Sequence, residues 1–269
     1  MKSRKHWVIA AKDLRELLAN RMMVLPLILV PVVLCVVLPV VLLTMGLGSN
    51  TLLVTGAQFI EGLLPSYPVP EAFATLTERV LYMFCNFTII PLFMVIPIMV
   101  SSTIAAHAIA GEKERKTLET LLYTPITNRQ FFLGKLLSAF VPAMVMSILS
   151  FALYFVTVNV LYVAMRGVMI IRSWVWLPAM LLINPAASLL GLGVTLLVSL
   201  RSKTYLQAQQ ASALVVVPCV MLVSVQLSGV VVLNPLFIVI LGAALLAVDY
   251  LIIVRVGPRF ERERIICSL

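Results

Sequence analysis

Side chains able to do chemistry are few and scattered in this chain. The two histidines, His6 and His107, are far apart, and neither has a second His or Cys at helical spacing. The cysteines, Cys35, Cys85, Cys219 and Cys267, form no C-x-x-C pair, so neither a metal site nor a redox pair is expected. They read as small apolar side chains. Gly134-Lys135 lacks a glycine-rich loop before it, and no G-x-x-x-x-G-K-[ST] occurs, so the chain offers no phosphate cradle for ATP. Catalytic residues and metal ligands are therefore both expected to be absent.

One acid, Asp249, lies clearly inside an apolar run, where an ionisable group is a functional candidate by default. It sits about two helical turns from Arg255 and Arg259. Two readings are open: a carboxylate paired with those basic neighbours or a tyrosine, or a group that handles substrate or protons. The uncharged polar residues Asn86, Thr88, Asn184, Gln207, Gln209, Gln210 and Gln226 either line a path or form interhelical hydrogen bonds worth roughly 0.6–2 kcal/mol each. Asn86, Asn184, Gln226 and Asp249 are the candidates for a substrate path.

The elements that must position these groups follow from composition. The chain has 269 residues, 62% of them hydrophobic, and a mean hydropathy of +1.09. Only 12% are charged, half the usual share of about a quarter in soluble domains, so most of the chain belongs in lipid. A span needs about 20 mainly apolar residues, and six runs qualify: 22–46, 80–110, 131–160, 174–200, 206–228 and 235–256. The short alternating segments of a β-barrel do not occur. The basic start and first apolar run imitate a signal peptide, but the run is too long and no small-x-small site follows, so it reads as a retained span. The expected fold is an all-α polytopic membrane protein, a single permease domain over 1–269.

Charge orients the spans. If both termini are cytoplasmic, seventeen of the twenty Lys and Arg fall on the inner side; only Arg79, Arg166 and Arg172 fall outside. The formal net charge of +9 is then the positive-inside rule rather than a nucleic-acid footprint. The expectation is a multi-pass inner or plasma membrane protein with both termini in the cytoplasm.

Residues 5–21 place Trp7, Ala10, Ala11, Leu14, Leu17 and Leu18 on one stripe, with Lys5, Lys12, Asp13, Arg15 and Glu16 mostly off it. This is the pattern of a helix lying in the membrane interface against lipid headgroups. Pro26, Pro31 and Pro39 kink the first span and call for neighbours to satisfy the freed carbonyls. Residues 47–79 form the sizeable outside loop, broken by Gly48, Pro65, Ser66, Pro68 and Pro70, with short surface helices expected at Leu52–Val54 and Phe59–Leu64. Small residues predict close helix packing: Ser102, Ala106 and Ala110 in the second span, Ala187 and Gly191 in the fourth, and Gly242, Ala243, Ala244 and Ala247 in the sixth. Arg259–Ile266 reads as a short amphipathic tail.

Against this background the segment from Gly111 to Lys135 stands out as a charged island. Glu112–Tyr123 reads as one short helix, with Leu118, Leu121 and Leu122 on an apolar strip and charges around the rest. Thr124-Pro125 ends it, because the residue before proline disfavours helix. Thr127 with Gln130 is a capping-box pattern that starts the third span. A helix this short spans nothing, so its leucines must lie against something apolar.

Here the sequence resembles the ABC-2 permeases, the membrane subunits of ATP-binding cassette exporters. The residues that carry the resemblance are Glu114, Thr117, Leu118, Glu119, Leu121, Leu122, Pro125, Arg129, Gly134 and Lys135. Lys116 departs from the family's usual glycine and is expected to stiffen the start of the helix. The interfacial helix, the six spans and the Arg-Phe-Glu-Arg-Glu tail are similar too. The resemblance implies a type V exporter-like architecture in which residues 112–124 form a cytoplasmic coupling helix. Its ATPase-coupling residues would be Glu112, Glu114, Arg115, Thr117, Leu118, Glu119, Leu121, Leu122 and Pro125. The leucines would pack in a cleft of a separate ABC ATPase subunit that carries ATP and Mg, and Glu112, Glu114 and Glu119 would pair with its basic residues. A second permease subunit, identical or related, is implied, as is export of a hydrophobic or amphiphilic cargo such as a drug, antibiotic, peptide or lipid. The competing readings are a secondary transporter or channel, which calls for more charges within the spans, and a membrane immunity or scaffold protein, which needs no docking segment.

Overall fold

The computed structural model describes residues 21–48, 61–62, 64–116, 128–202, 204–228 and 234–256. The expected interfacial helix at 5–21, the leucine strip with Pro125, the two short surface helices over most of their length and the C-terminal tail lie outside the described residues. Six helices are long and apolar enough to cross a membrane. We name them α1 (21–48), α2 (Leu76–Glu114), α3 (Asn128–Arg166), α4 (176–201), α5 (Tyr205–Leu227) and α6 (Pro235–Val256). They are apolar around nearly their whole circumference, as expected where lipid and protein are equally oily surroundings.

The helix α2 is the mast of the bundle: 78% of its central window is buried, against 17% for α6. It packs against α3 and α4 and also meets α1 and α5, while α6 leans on α4. Glycines set how closely α4 approaches its two neighbours. A Cβ on Gly191 would lie 2.9 Å from Ser101 Oγ and 3.0 Å from the Ile98 carbonyl of α2. On another face of α4, a Cβ on Gly193 would lie 2.7 Å from Ile252 of α6. Gly242 meets Leu182 in the same way, at 2.9 Å. Ala106 and Ala110 of α2 bury against Ala208 of α5. Ala243, Ala244 and Ala247 are different: among the described residues they lie on the exposed face of α6.

Among the described residues four π-helical turns interrupt the spans, at Val33–Val37, Phe84–Thr88, His107–Gly111 and Ala179–Ile183. Each widens a helix by one residue and leaves backbone groups to be satisfied elsewhere. At Phe84–Thr88 the Ile89 N–H bonds to the Phe84 carbonyl, and the Cys85 carbonyl accepts the Tyr154 hydroxyl of α3 at 2.8 Å. The proline-rich first span follows the same rule, with its π turn between Pro31 and Pro39.

The end of the bundle opposite the charged island is closed by polar clamps. Thr75 and Glu78 form a capping box that starts α2 four residues before the expected span. Glu78 also pairs with Arg166 at 3.4 Å. Two asparagines hold the α3–α4 connection: Asn159 accepts from the Ile170 and Ile171 amides at 3.1 Å, and Asn86 donates to the Ile170 carbonyl at 2.9 Å and accepts from the Ser173 amide at 3.3 Å. Tyr67, Phe73, Tyr82, Phe87 and Tyr162 pack as an aromatic plug beneath the 61–75 connection.

Candidate functional site

The described part of the charged island is the end of α2. The π turn His107–Gly111 runs directly into Glu112–Glu114, so these acids form the last turn of a membrane helix. The reading of Glu112–Tyr123 as one separate helix is thus corrected at its start. The helix stops because Lys116 takes a left-handed backbone, with φ of 58°. Its amide bonds to the Lys113 carbonyl at 3.0 Å, and the Arg115 amide bonds to Gly111 at 3.1 Å, the geometry in which helices commonly end on a glycine. Lys116 is therefore a helix stop, and lysine there costs about 1–2 kcal/mol of backbone strain rather than stiffening a helix start as expected.

Glu112 turns inward. Its Oε1 lies 3.0 Å from Lys135 Nζ, and the two side chains are 5% and 0% exposed. Lys135 belongs to the first two turns of α3, next to the buried Gly134. The pair therefore rivets the end of α2 to the start of α3. One ion without the other would be costly there, about 3–5 kcal/mol for a broken buried pair.

Glu114, two residues further along, is exposed and reaches a third helix. Its Oε2 accepts the Tyr205 backbone N–H at 2.9 Å. That amide is among the first of α5 and has no partner within its own helix; a carboxylate there also suits the helix dipole. Thr204 caps the same terminus by accepting from the Gln207 amide. The Tyr205 ring stands edge-on to His107 at 6.2 Å, and Gln209 donates to Thr103 at 3.4 Å. Two glutamates two residues apart thus tie α2 to α3 and to α5.

Of the remaining coupling residues named from the sequence, Arg115 is exposed beside Lys116. Thr117, Leu118, Glu119, Leu121, Leu122 and Pro125 lie outside the described residues. The four path candidates do not converge. Asn86 is spent on the backbone clamps above. Asn184 donates to Ser147 Oγ of α3 at 2.7 Å and to Met180 Sδ at 3.0 Å, so it acts as a hydrogen-bonded rivet. Gln226 is buried beside Tyr67 near the opposite end. Asp249 is buried on α6, and neither of its oxygens has a hydrogen-bond partner among the described residues. No tyrosine pairs with it among the described residues, while the side chain of Arg255 and the whole of Arg259, its expected basic partners, lie outside them.

The buried pair and the Glu114 cap were not read from the sequence. A signal was present: Lys135 is a lone cation between Leu133, Leu136 and Leu137, and a buried lysine needs an acid within reach. Among the described residues no group of three or more His, Cys, Asp or Glu is placed to hold a metal.

Six apolar spans, one of them buried among the others and ending in a charged segment joined to two more, make this a multi-pass membrane protein. The chain belongs to the ABC-2 family of transporter proteins, whose pattern matches residues 7–255. Neither the curated proteins nor the solved structures contain a match to it.

Proposed function

We propose that this chain is the permease subunit of an ATP-driven exporter and works with a separate ATPase that carries ATP and Mg. The single observation that supports this reading most is the wiring of the island: in a chain of the ABC-2 family, Glu112 and Glu114 join it to α3 and α5. In this proposal residues 117–125 dock on the ATPase through Leu118, Leu121 and Leu122. Glu112 and Glu114 serve inside the permease and pass the displacement on, while Arg115 and Glu119 face the motor. Two permease subunits, identical or related, complete the translocation unit, with both termini cytoplasmic. The cargo is a hydrophobic or amphiphilic molecule moved outward.

The test is co-purification with the ATPase encoded beside this chain. Wild type is expected to retain the ATPase, and Leu118→Asp/Leu121→Asp to lose it. Equal retention by both, or by neither, overturns the docking assignment.

A further inference from the structure

A groove between α3 and α4 opens sideways at the end of the bundle opposite the island. Its volume is about 520 Å³, inside the range of about 300–1,000 Å³ typical of small-molecule sites. Ile148, Phe151, Phe155, Trp176, Leu177 and Leu181 form its walls, and Arg172 and Trp174 stand at its mouth. Most of these apolar side chains are exposed on the flank of the bundle, where acyl chains reach them. Trp174, 83% exposed, has the amphipathic ring that settles at headgroup depth. From Trp176 to Leu181 the trough descends about 7 Å along α4.

The mouth carries a specific charge. Three arginines serve this end of the bundle. Arg166 pairs with Glu78, and Arg79 donates through Nε to the Phe73 carbonyl at 3.0 Å. Arg172 has no acidic partner among the described residues, and it also lines a second cavity of about 430 Å³ with Pro70, Phe73 and Met169. Its backbone neighbours are fixed by Asn86 and Asn159, so the guanidinium is presented from a braced segment, which lowers the ordering cost of binding. A planar cation above an apolar trough matches a phosphate joined to an acyl chain.

We propose that this groove binds one anionic phospholipid from the surrounding leaflet, its phosphate on Arg172 and an acyl chain along the trough. The site stands apart from the transport reading, because its test is equilibrium binding. The full chain with Trp7→Phe, leaving Trp174 and Trp176 as fluorophores, is placed in bilayers containing bromine-labelled phosphatidylglycerol or bromine-labelled phosphatidylcholine. Phosphatidylglycerol is expected to quench at a mole fraction about fivefold lower. Arg172→Gln removes this preference, leaves the phosphatidylcholine curve unchanged and leaves the folding unaffected, since Arg172 is exposed; Arg172→Lys retains it. Equal quenching by the two lipids overturns the proposal, as does a preference that survives Arg172→Gln or is abolished by inorganic phosphate at matching concentration. Disulfide formation between copies of Leu177→Cys in bilayers would instead assign the groove to a second copy of the chain and also overturn it.

Discussion

Lys135 Nζ of α3 lies 3.0 Å from Glu112 Oε1 of α2, with both side chains almost wholly withdrawn from solvent. In a chain with so few charges, an opposed pair buried at a helix junction fixes how two spans meet. Its members are not interchangeable with neutral groups one at a time. Glu112→Gln or Lys135→Met alone is expected to cost about 3–5 kcal/mol, because each takes one member from a buried ion pair. The double variant Glu112→Leu/Lys135→Met is expected to recover most of that loss. Thermal melting of the detergent-solubilised chain checks this; single variants that melt like wild type would show that the pair contributes nothing.

Lys116 holds a backbone conformation that glycine adopts freely. Lys116→Gly is therefore expected to raise stability by about 1 kcal/mol, a gain of a few degrees in melting temperature for a chain of this size. A lower melting temperature would mean that the lysine side chain contributes more than its backbone strain removes.

Asn159 accepts the amides of both Ile170 and Ile171. Asn159→Leu leaves two buried N–H groups without a partner, at about 1–3 kcal/mol each. Hydrogen exchange at these two amides is expected to accelerate by at least about tenfold, with the exchange of α6 unchanged. Protection that stays the same would show that other contacts hold the connection.

Asp249 offers the opposite case, a buried carboxyl group that makes no hydrogen bond among the described residues. A polar group left unpaired in an apolar interior lowers stability. Asp249→Leu is thus expected to melt at or above the wild-type temperature. A fall of several degrees would reveal a partner whose loss outweighs the removed burial cost.

The six spans were legible in the sequence because each is a run of apolar residues of membrane length. What the sequence does not carry is which faces meet. Asn86 read equally well as a path lining or as a hydrogen-bonding brace; besides the local Tyr82 carbonyl, its two bracing partners lie more than eighty residues away on the α3–α4 connection, beyond any local pattern. The π turns were equally hidden, since a run such as Phe84–Thr88 differs in no obvious way from its helical flanks. The island's character was legible as charge and its placement was not: the acids looked like a free surface helix, whereas the backbone at Lys116 makes Glu112 and Glu114 the tip of a span.

Asn86 and Glu112 occupy the same helix, 26 positions apart, or about 39 Å of rise. One brace holds the connection that presents Arg172, and the other holds the junction of α2 with α3. They therefore share a single rod. In the proposed coupling, a displacement of the island would need no relay through side chains to reach the opposite end of the bundle, because one helix carries both braces.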